Sequence, residues 1–296
     1  VKATQLTENN KKLSEDFRMN VLTVDYHSPD APAQFCQSLR ETGFAVLSNH
    51  PIAPALIDQG YEQWRKFFSS NEKMQYLYQK PSQAGYFPFR TESAKGNPVR
   101  DLKEFYHFYQ AGPKPQEAAA ITTAIFNELN TMAATLLQWV ENHLPQDVAG
   151  KLSMPLKNMI IDSPNTMLRI LHYPPMQGDV EPGAERAAAH EDINILTLLP
   201  AATAPGLEVM DVKGNWHAVA CDPGNIVVNV GDTLQEATEQ YFKSTTHRVV
   251  NPDQAEEHTS RYSMPMFLHA RPEVNISERY TAESYLHERL RELGIY

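Results

Sequence analysis

Cysteine is nearly absent. Cys36 and Cys221 are the only two thiols in 296 residues. So far apart in sequence, they form neither a disulfide framework nor the closely spaced pairs of a cysteine zinc site. No apolar run approaches the ~20 residues that a membrane-spanning helix needs, and no stretch reads as a secretory signal. Basic residues are in the minority, 26 against 36 acidic ones, for a net charge of −10. They form no block, which excludes an extended nucleic-acid or anionic-membrane surface. An anionic small molecule stays compatible with this balance if a few arginines gather locally. There is no internal repeat and no low-complexity segment. The expectation is a soluble, cytoplasmic protein with no nucleic-acid or membrane partner, its oligomeric state left open.

What the chain does contain is patterned. Asp30 to Thr42 reads as an amphipathic helix stopped by Gly43, followed by a strand in "FAVLSNH". Pro54 to Ser69 is a second helix, with Leu56, Trp64, Phe67 and Phe68 facing inward. "GYFPFRTESAKGNPVRDLKEFYHF" is rich in glycine, proline and charge, and reads as loop with short strands. Ala118 to His143 is the longest helix, carrying Ile125, Leu129, Met132, Leu136 and Val140 at helical spacing. From Met167 the texture changes to short strand-like runs: "MLRILHY", "INILTLL", "LEVMDV", "NWHAVA", "NIVVNVGD", "THRVV" and "RYSMPMFLHA". Turn residues separate them, the pattern of a barrel or jelly roll and not of βαβ units. A last helix, "TAESYLHERLRELG", places Leu286, Leu290 and Leu293 on one side. The fold class is therefore α+β. An N-terminal region over residues 1–115 packs on a second region, 116–296, of long helix and β core, the two forming one catalytic unit.

Within the run "AAAHEDINILTLLP", His190 and Asp192 stand two apart at the mouth of a strand expected over Ile193 to Leu199. Side chains at i and i+2 of a strand share a face. An ionised aspartate turned inward is costly unless paired or metal-bound. Two histidines and one carboxylate leave open positions on a metal, as in non-haem Fe(II) sites. The third ligand is expected from a later strand, at His247 in "KSTTHRVVNP". Beyond it, Arg261 and Ser263 in "RYS" also share one strand face. There a planar guanidinium can take a carboxylate in two-point fashion beside a hydroxyl donor.

These fragments, in this order, resemble the isopenicillin N synthase-like branch of the Fe(II)/2-oxoglutarate-dependent oxygenases. The resemblance runs through "FAVLSNHPI", "GYFPF", "DLKEFY" (Asp101, Lys103, Glu104), "LRILHYPP", "HEDINILTLL", "GLEV", "PGNIVVNVGDTLQEAT", "STTHRVVNP" and "RYSMPMF". It implies a distorted double-stranded β-helix, Fe(II) on His190, Asp192 and His247, and 2-oxoglutarate on Arg261 and Ser263. Tyr173 in "LHYPP" stands where many members add a tyrosine hydroxyl to the same carboxylate. The implied reaction couples oxidation of a small molecule by O₂ to conversion of 2-oxoglutarate into succinate and CO₂.

The same resemblance keeps an alternative open. Isopenicillin N synthase grips a substrate carboxylate with its Arg-x-Ser pair, and aminocyclopropane carboxylate oxidases take electrons from ascorbate. A 2-oxoglutarate-independent iron oxidase is therefore the rival reading, ahead of a non-catalytic ligand-binding barrel and a zinc hydrolase. Asn194, Phe267 and Arg169 are further pocket candidates. Arg169 lies on the strand parity of Tyr173, with a barrel-edge ion pair as its plain alternative. Arg248 is expected to point outward into an ion pair, and His172 to face away from Tyr173. His50 and Asp232 read as loop and turn residues, and His107, His217 and His269 have no partner at ligand spacing. Selectivity is expected to rest on residues 82–105, 174–187 and the C-terminal helix.

Overall fold

A computed structural model describes residues 19–80, 82–93, 99–176, 181–253, 257–292 and 294. The chain opens with β1 (Thr23–Asp25), α1 (Ala31–Thr42), β2 (Phe44–Ser48) and α2 (Pro54–Ser69). Gly43 ends α1 in the left-handed conformation, φ 76°, and donates its N–H to the Leu39 carbonyl. That position suits glycine because other residues pay a steric penalty there. A 3₁₀ segment (Asn71–Tyr76), β3 (Gly85–Phe87) and β4 (Glu104–Phe108) lead to the long helix α3 (Gln116–Asn142). All five residues expected on its inner stripe are buried. Short helices α4 (Gln146–Ala149) and α5 (Leu156–Met159) then connect to the β-rich part.

That part holds β5 (Met167–Tyr173), β6 (Ala187–His190), β7 (Leu196–Pro200), β8 (Leu207–Met210), β9 (Trp216–Ala218) and β10 (Ile226–Val230). After α6 (Asp232–Ala237) come β11 (His247–Val249), β12 (Arg261–Ser263), β13 (Met266–Leu268) and the closing helix α7 (Ala282–Glu292). Leu293, expected on that helix, lies outside the described residues. One sheet runs β1-β2-β10-β7-β13-β5-β4-β3, with β12 also pairing β5; the other runs β6-β11-β8-β9. Every pairing is antiparallel except β1 with β2. The helices cover the outer face of the larger sheet: Trp64, Ile125, Leu129 and Leu136 share one buried cluster with Leu168, Leu198 and Val228. This is the expected double-stranded β-helix with helical N-terminal and C-terminal additions. Among the described residues no helix is long and apolar enough to cross a membrane.

Two strands differ from expectation. The run expected to form a strand from Ile193 begins at Leu196. Residues 192–195 instead bond to the turn that starts α6: the Asp192, Asn194 and Ile195 carbonyls accept from the Asp232, Thr233 and Gly231 N–H groups. His190 ends β6 and Asp192 follows in the loop, so the two do not share a strand. "RYSMPMFLHA" is broken into β12 and β13 around Pro265, which has no N–H to donate to a ladder and instead accepts from Arg169.

Gly231 makes this loop possible. A Cβ there would lie 2.1 Å from the Asn194 carbonyl oxygen and 2.2 Å from its side-chain oxygen. Gly231→Ala is expected to push the 192–195 loop away and destabilise the fold by about 1–3 kcal/mol, as overpacking does. Chemical denaturation would show it as a lower midpoint at unchanged slope.

Candidate functional site

His190 and His247 sit directly opposite each other on neighbouring antiparallel strands, β6 and β11, and such pairs share a face. Their rings lie 4.4 Å apart, and Phe44 of β2 packs edge-on against His247 at 5.4 Å. His190 Nδ1 lies 2.8 Å from the Ala188 carbonyl and His247 Nδ1 3.0 Å from the Thr245 carbonyl. Carbonyls only accept, so each Nδ1 carries a proton and Nε2 is the ring atom left to act as a ligand. Those Nε2 atoms stand 3.8 Å and 3.7 Å from the same oxygen, Asp192 Oδ1.

The other carboxylate oxygen, Asp192 Oδ2, is fully engaged. It accepts from Thr197 Oγ1 at 2.5 Å and Asn229 Nδ2 at 2.8 Å. Thr197 in turn accepts from Asn194 Nδ2 at 2.9 Å, which commits its own hydroxyl proton to Asp192. Burial alone would raise the Asp192 pKa, but the two imidazoles and these hydrogen bonds outweigh it and hold the carboxyl below its usual range. Burial, then the His247 ring beside it, pushes His190 down to about 4. The cluster at neutral pH is thus one carboxylate and a neutral imidazole at His190, with ligand atoms of all three residues within 4.8 Å of one another. Such a set can hold a divalent metal and leave coordination positions open.

These three line a cavity between the two sheets. Its second wall comes from one face of β5, β12 and β13, with Lys103 just before β4. Tyr173 stands opposite Arg261, and Leu171 opposite Ser263. Arg261 is 2 % exposed; its Nε donates to the Ala204 and Pro205 carbonyls, while Nη1 is buried without a partner. Its guanidinium carbon lies 5.1 Å from the Tyr173 ring centre. Phe267 and Arg169 also line the cavity. Asn194 does not: its amide turns to the Leu196 carbonyl and Thr197, because its segment bonds to the α6 turn and leaves the strand parity expected for it.

Other expectations resolve simply. Arg248 pairs with Glu208 and Glu185, outside the cavity. His172 faces away from Tyr173, bonding Glu104 at 2.7 Å and stacking on Tyr262. His217 pairs with Asp211. Arg169 forms the ion pair of its plain alternative, with Glu92 at 3.3 Å, on a side chain that lines the cavity. Thr197 and Asn229 were not among the expected site residues, and Lys103 was expected only as part of the 82–105 stretch. The signal for the first two was a lone polar residue inside each of two apolar strands, "LTLLP" and "IVVNV". Of the stretches expected to shape the pocket, Lys103 and Ala187 reach it, whereas no described residue of α7 lines it.

Comparison with known proteins agrees with this geometry. Residues 164–270 match the 2OG-Fe(II) oxygenase superfamily, and residues 20–127 match the family described as non-haem dioxygenase in morphine synthesis N-terminal. The crystal structure of a candidate oxygenase from Shewanella oneidensis is 49% identical, with a TM-score of 0.85, over 94% of this chain and 100% of that one. A candidate 2OG-Fe(II) oxygenase family protein from Caulobacter crescentus is 31% identical, with a TM-score of 0.76, over 92% of this chain and 99% of that one. The 2-oxoglutarate-dependent dioxygenase citB of Monascus ruber is 28% identical over 77% of this chain and 74% of its own length. A shared fold, two family matches and relatives of this identity over nearly the full chain place the protein in the 2OG-Fe(II) oxygenase superfamily, as a non-haem enzyme that uses Fe(II) and 2-oxoglutarate.

Proposed function

We propose that His190, Asp192 and His247 ligate the Fe(II), and that Arg261, Ser263 and Tyr173 hold the far carboxylate of 2-oxoglutarate. On this reading the enzyme oxidises a small molecule by hydroxylation, desaturation or ring formation, with release of succinate and CO₂. The observation that carries it is the orphaned Nη1 of Arg261, a buried cation donor on a residue that lines the cavity holding the metal-ligand cluster. Buried donors without a partner are rare, and a carboxylate satisfies this one with the charge it lacks. The donor set fits the metal as well: two imidazole Nε2 atoms and one free carboxylate oxygen lie close together.

Bound there, iron and 2-oxoglutarate supply the activation of O₂. The chain's own residues do the rest. Thr197 and Asn229 hold Asp192 with Oδ1 toward the imidazoles, and the two backbone carbonyls fix the imidazole tautomers. Leu171, Pro265 and Phe267 make the cavity wall apolar and so exclude water. Regions 1–115 and 116–296 act as one unit in this reading, since Lys103 and Arg169 line the same cavity from either side of that division.

Thr197→Val keeps the shape and deletes the hydroxyl that fixes Asp192. Loss of such a supporting contact costs metal affinity roughly 10–100-fold. Competition with a coloured Fe(II) chelator is expected to read a loss in that range. For the function itself, 2-oxoglutarate consumption is followed with Fe(II), O₂ and a panel of small molecules. Succinate formed in step with an oxidised product supports the proposal; O₂ uptake with product and no succinate would favour the oxidase reading.

A further inference from the structure

The cavity carries a second group of charged side chains, around Lys103 and Arg169, to which the proposed function gives no role. Lys103 directly precedes β4, on the parity of Phe105 and His107, and is 5 % exposed. Its ammonium pairs with Glu92 at 2.7 Å and Asp101 at 2.8 Å. Lysine has three N–H donors and no acceptor. Two are therefore spent on carboxylates and one remains, on a lysine that lines the cavity beside Tyr173, since Glu104 pairs with His172. Asp101 is itself tied to the opposite sheet, accepting from the Ala188 N–H at 3.2 Å.

Arg169 stands beside Lys103 on the same wall and shares Glu92 through both terminal nitrogens, at 3.3 Å and 3.4 Å. Its Nε donates to His107 Nε2 at 2.9 Å, and His107 Nδ1 bonds the Gln83 carbonyl at 2.8 Å. That pattern requires a neutral His107. Burial, then the adjacent Arg169 charge, pushes its pKa down to about 3. The guanidinium lies between the Phe105 and Phe267 rings, 4.8 Å and 5.4 Å from their centres. The wall between this end and Ser263 is apolar, with Leu171 and Pro265.

Two cations and two carboxylates cancel, so this end of the cavity carries no net charge to attract an ion. It offers held hydrogen-bond donors instead. Burying such donors unpaired is costly, and an oxygen acceptor is the chemical complement. We infer that Lys103, positioned by Glu92 and Asp101 and backed by Arg169, binds a carbonyl or carboxylate oxygen of the organic substrate, whose remaining body is apolar and lies against Leu171, Pro265 and Phe267. The inference rests on 2-oxoglutarate occupying Arg261. The same oxygen chemistry could come from the inner carboxylate of 2-oxoglutarate itself, and the test separates the two.

The probes are hexanoate, hexanamide and hexylammonium, which share an apolar chain and differ in whether the end group accepts a hydrogen bond. Binding is measured by calorimetry under nitrogen on the Fe(II) enzyme saturated with 2-oxoglutarate, whose own affinity is measured first. Hexanoate and hexanamide are expected to bind at least about tenfold tighter than hexylammonium, the effect of one charge-assisted hydrogen bond. Lys103→Met is expected to erase that preference while still binding 2-oxoglutarate, and Lys103→Gln, which keeps an N–H donor, to restore part of it. Wild-type enzyme without preference for the acceptor probes overturns the inference, whatever the variants do. So does a preference that survives in Lys103→Met, or a loss in 2-oxoglutarate affinity that matches the loss in probe affinity. Failure of wild-type enzyme to bind 2-oxoglutarate would instead strike the proposed function.

Discussion

Arg261→Met is expected to weaken 2-oxoglutarate binding by about 2–5 kcal/mol, or roughly 30- to 4,000-fold in Kd, while leaving the fold intact. The magnitude follows from where the guanidinium sits. It is 2 % exposed, so solvent screens the contact poorly, and a carboxylate deprived of it would enter the cavity as an uncompensated charge. In the absence of 2-oxoglutarate the balance is different. The wild-type chain buries a cation whose Nη1 has no partner. Methionine removes that burden and loses only the bonds to Ala204 and Pro205. Melting in the absence of the keto acid should therefore change little. Added 2-oxoglutarate should raise the wild-type Tm, as a ligand of the native state does, and should not raise that of the variant. Arg261→Lys retains charge without the planar fork and is expected to fall between them. A melting shift by 2-oxoglutarate that is equal in Arg261→Met and wild type would refute this assignment.

The second large effect concerns Asp192. Asp192→Ala is expected to lower Fe(II) affinity beyond the roughly 100-fold that loss of a supporting contact can cause, and to take 2-oxoglutarate turnover with it. Two opposing changes act on the fold. Thr197 and Asn229 lose their acceptor, a cost of about 1–3 kcal/mol for buried donors, while a buried carboxylate that was costly to desolvate disappears. Stability is thus a poor reporter and metal affinity a good one. Metal analysis of protein equilibrated with Fe(II) under nitrogen, then dialysed, should find near-stoichiometric iron in wild type and almost none in the variant. Iron retained at wild-type affinity would remove Asp192 from the ligand set.

Some of this site could be read from local spacing and some could not. Arg261 and Ser263 lie on one strand, so the two-residue period put them on one face without further information. His190 and Asp192 share a face by spacing alone only if both lie on one strand, and they do not. They converge, but as the end of β6 and the loop after it, because the Gly231–Thr233 turn captures the backbone that a strand would have used. Asn194, on the same parity, therefore faces Thr197 and not the cavity. Tyr173 opposite Arg261, and His190 opposite His247, depend on strand register, which no local pattern states. Thr197 and Asn229 were illegible for the same reason: a polar residue in an apolar strand signals a partner without naming it. The Glu92–Lys103–Arg169 cluster joins a loop, a strand edge and a barrel strand, and only the folded chain brings it together. The helices were easier, since Ile125, Leu129, Met132, Leu136 and Val140 repeat with a helical period that needs no distant residue to be read.

On the proposed function, one cavity holds Fe(II) on His190, Asp192 and His247 with 2-oxoglutarate bound between the metal and Arg261. Titrating 2-oxoglutarate under nitrogen into the Fe(II)-loaded protein, and recording the visible spectrum, tests it most directly. A weak charge-transfer band that grows to saturation, and that needs far more keto acid in Arg261→Met, is the predicted result. Iron bound without any such band at saturating 2-oxoglutarate would contradict it.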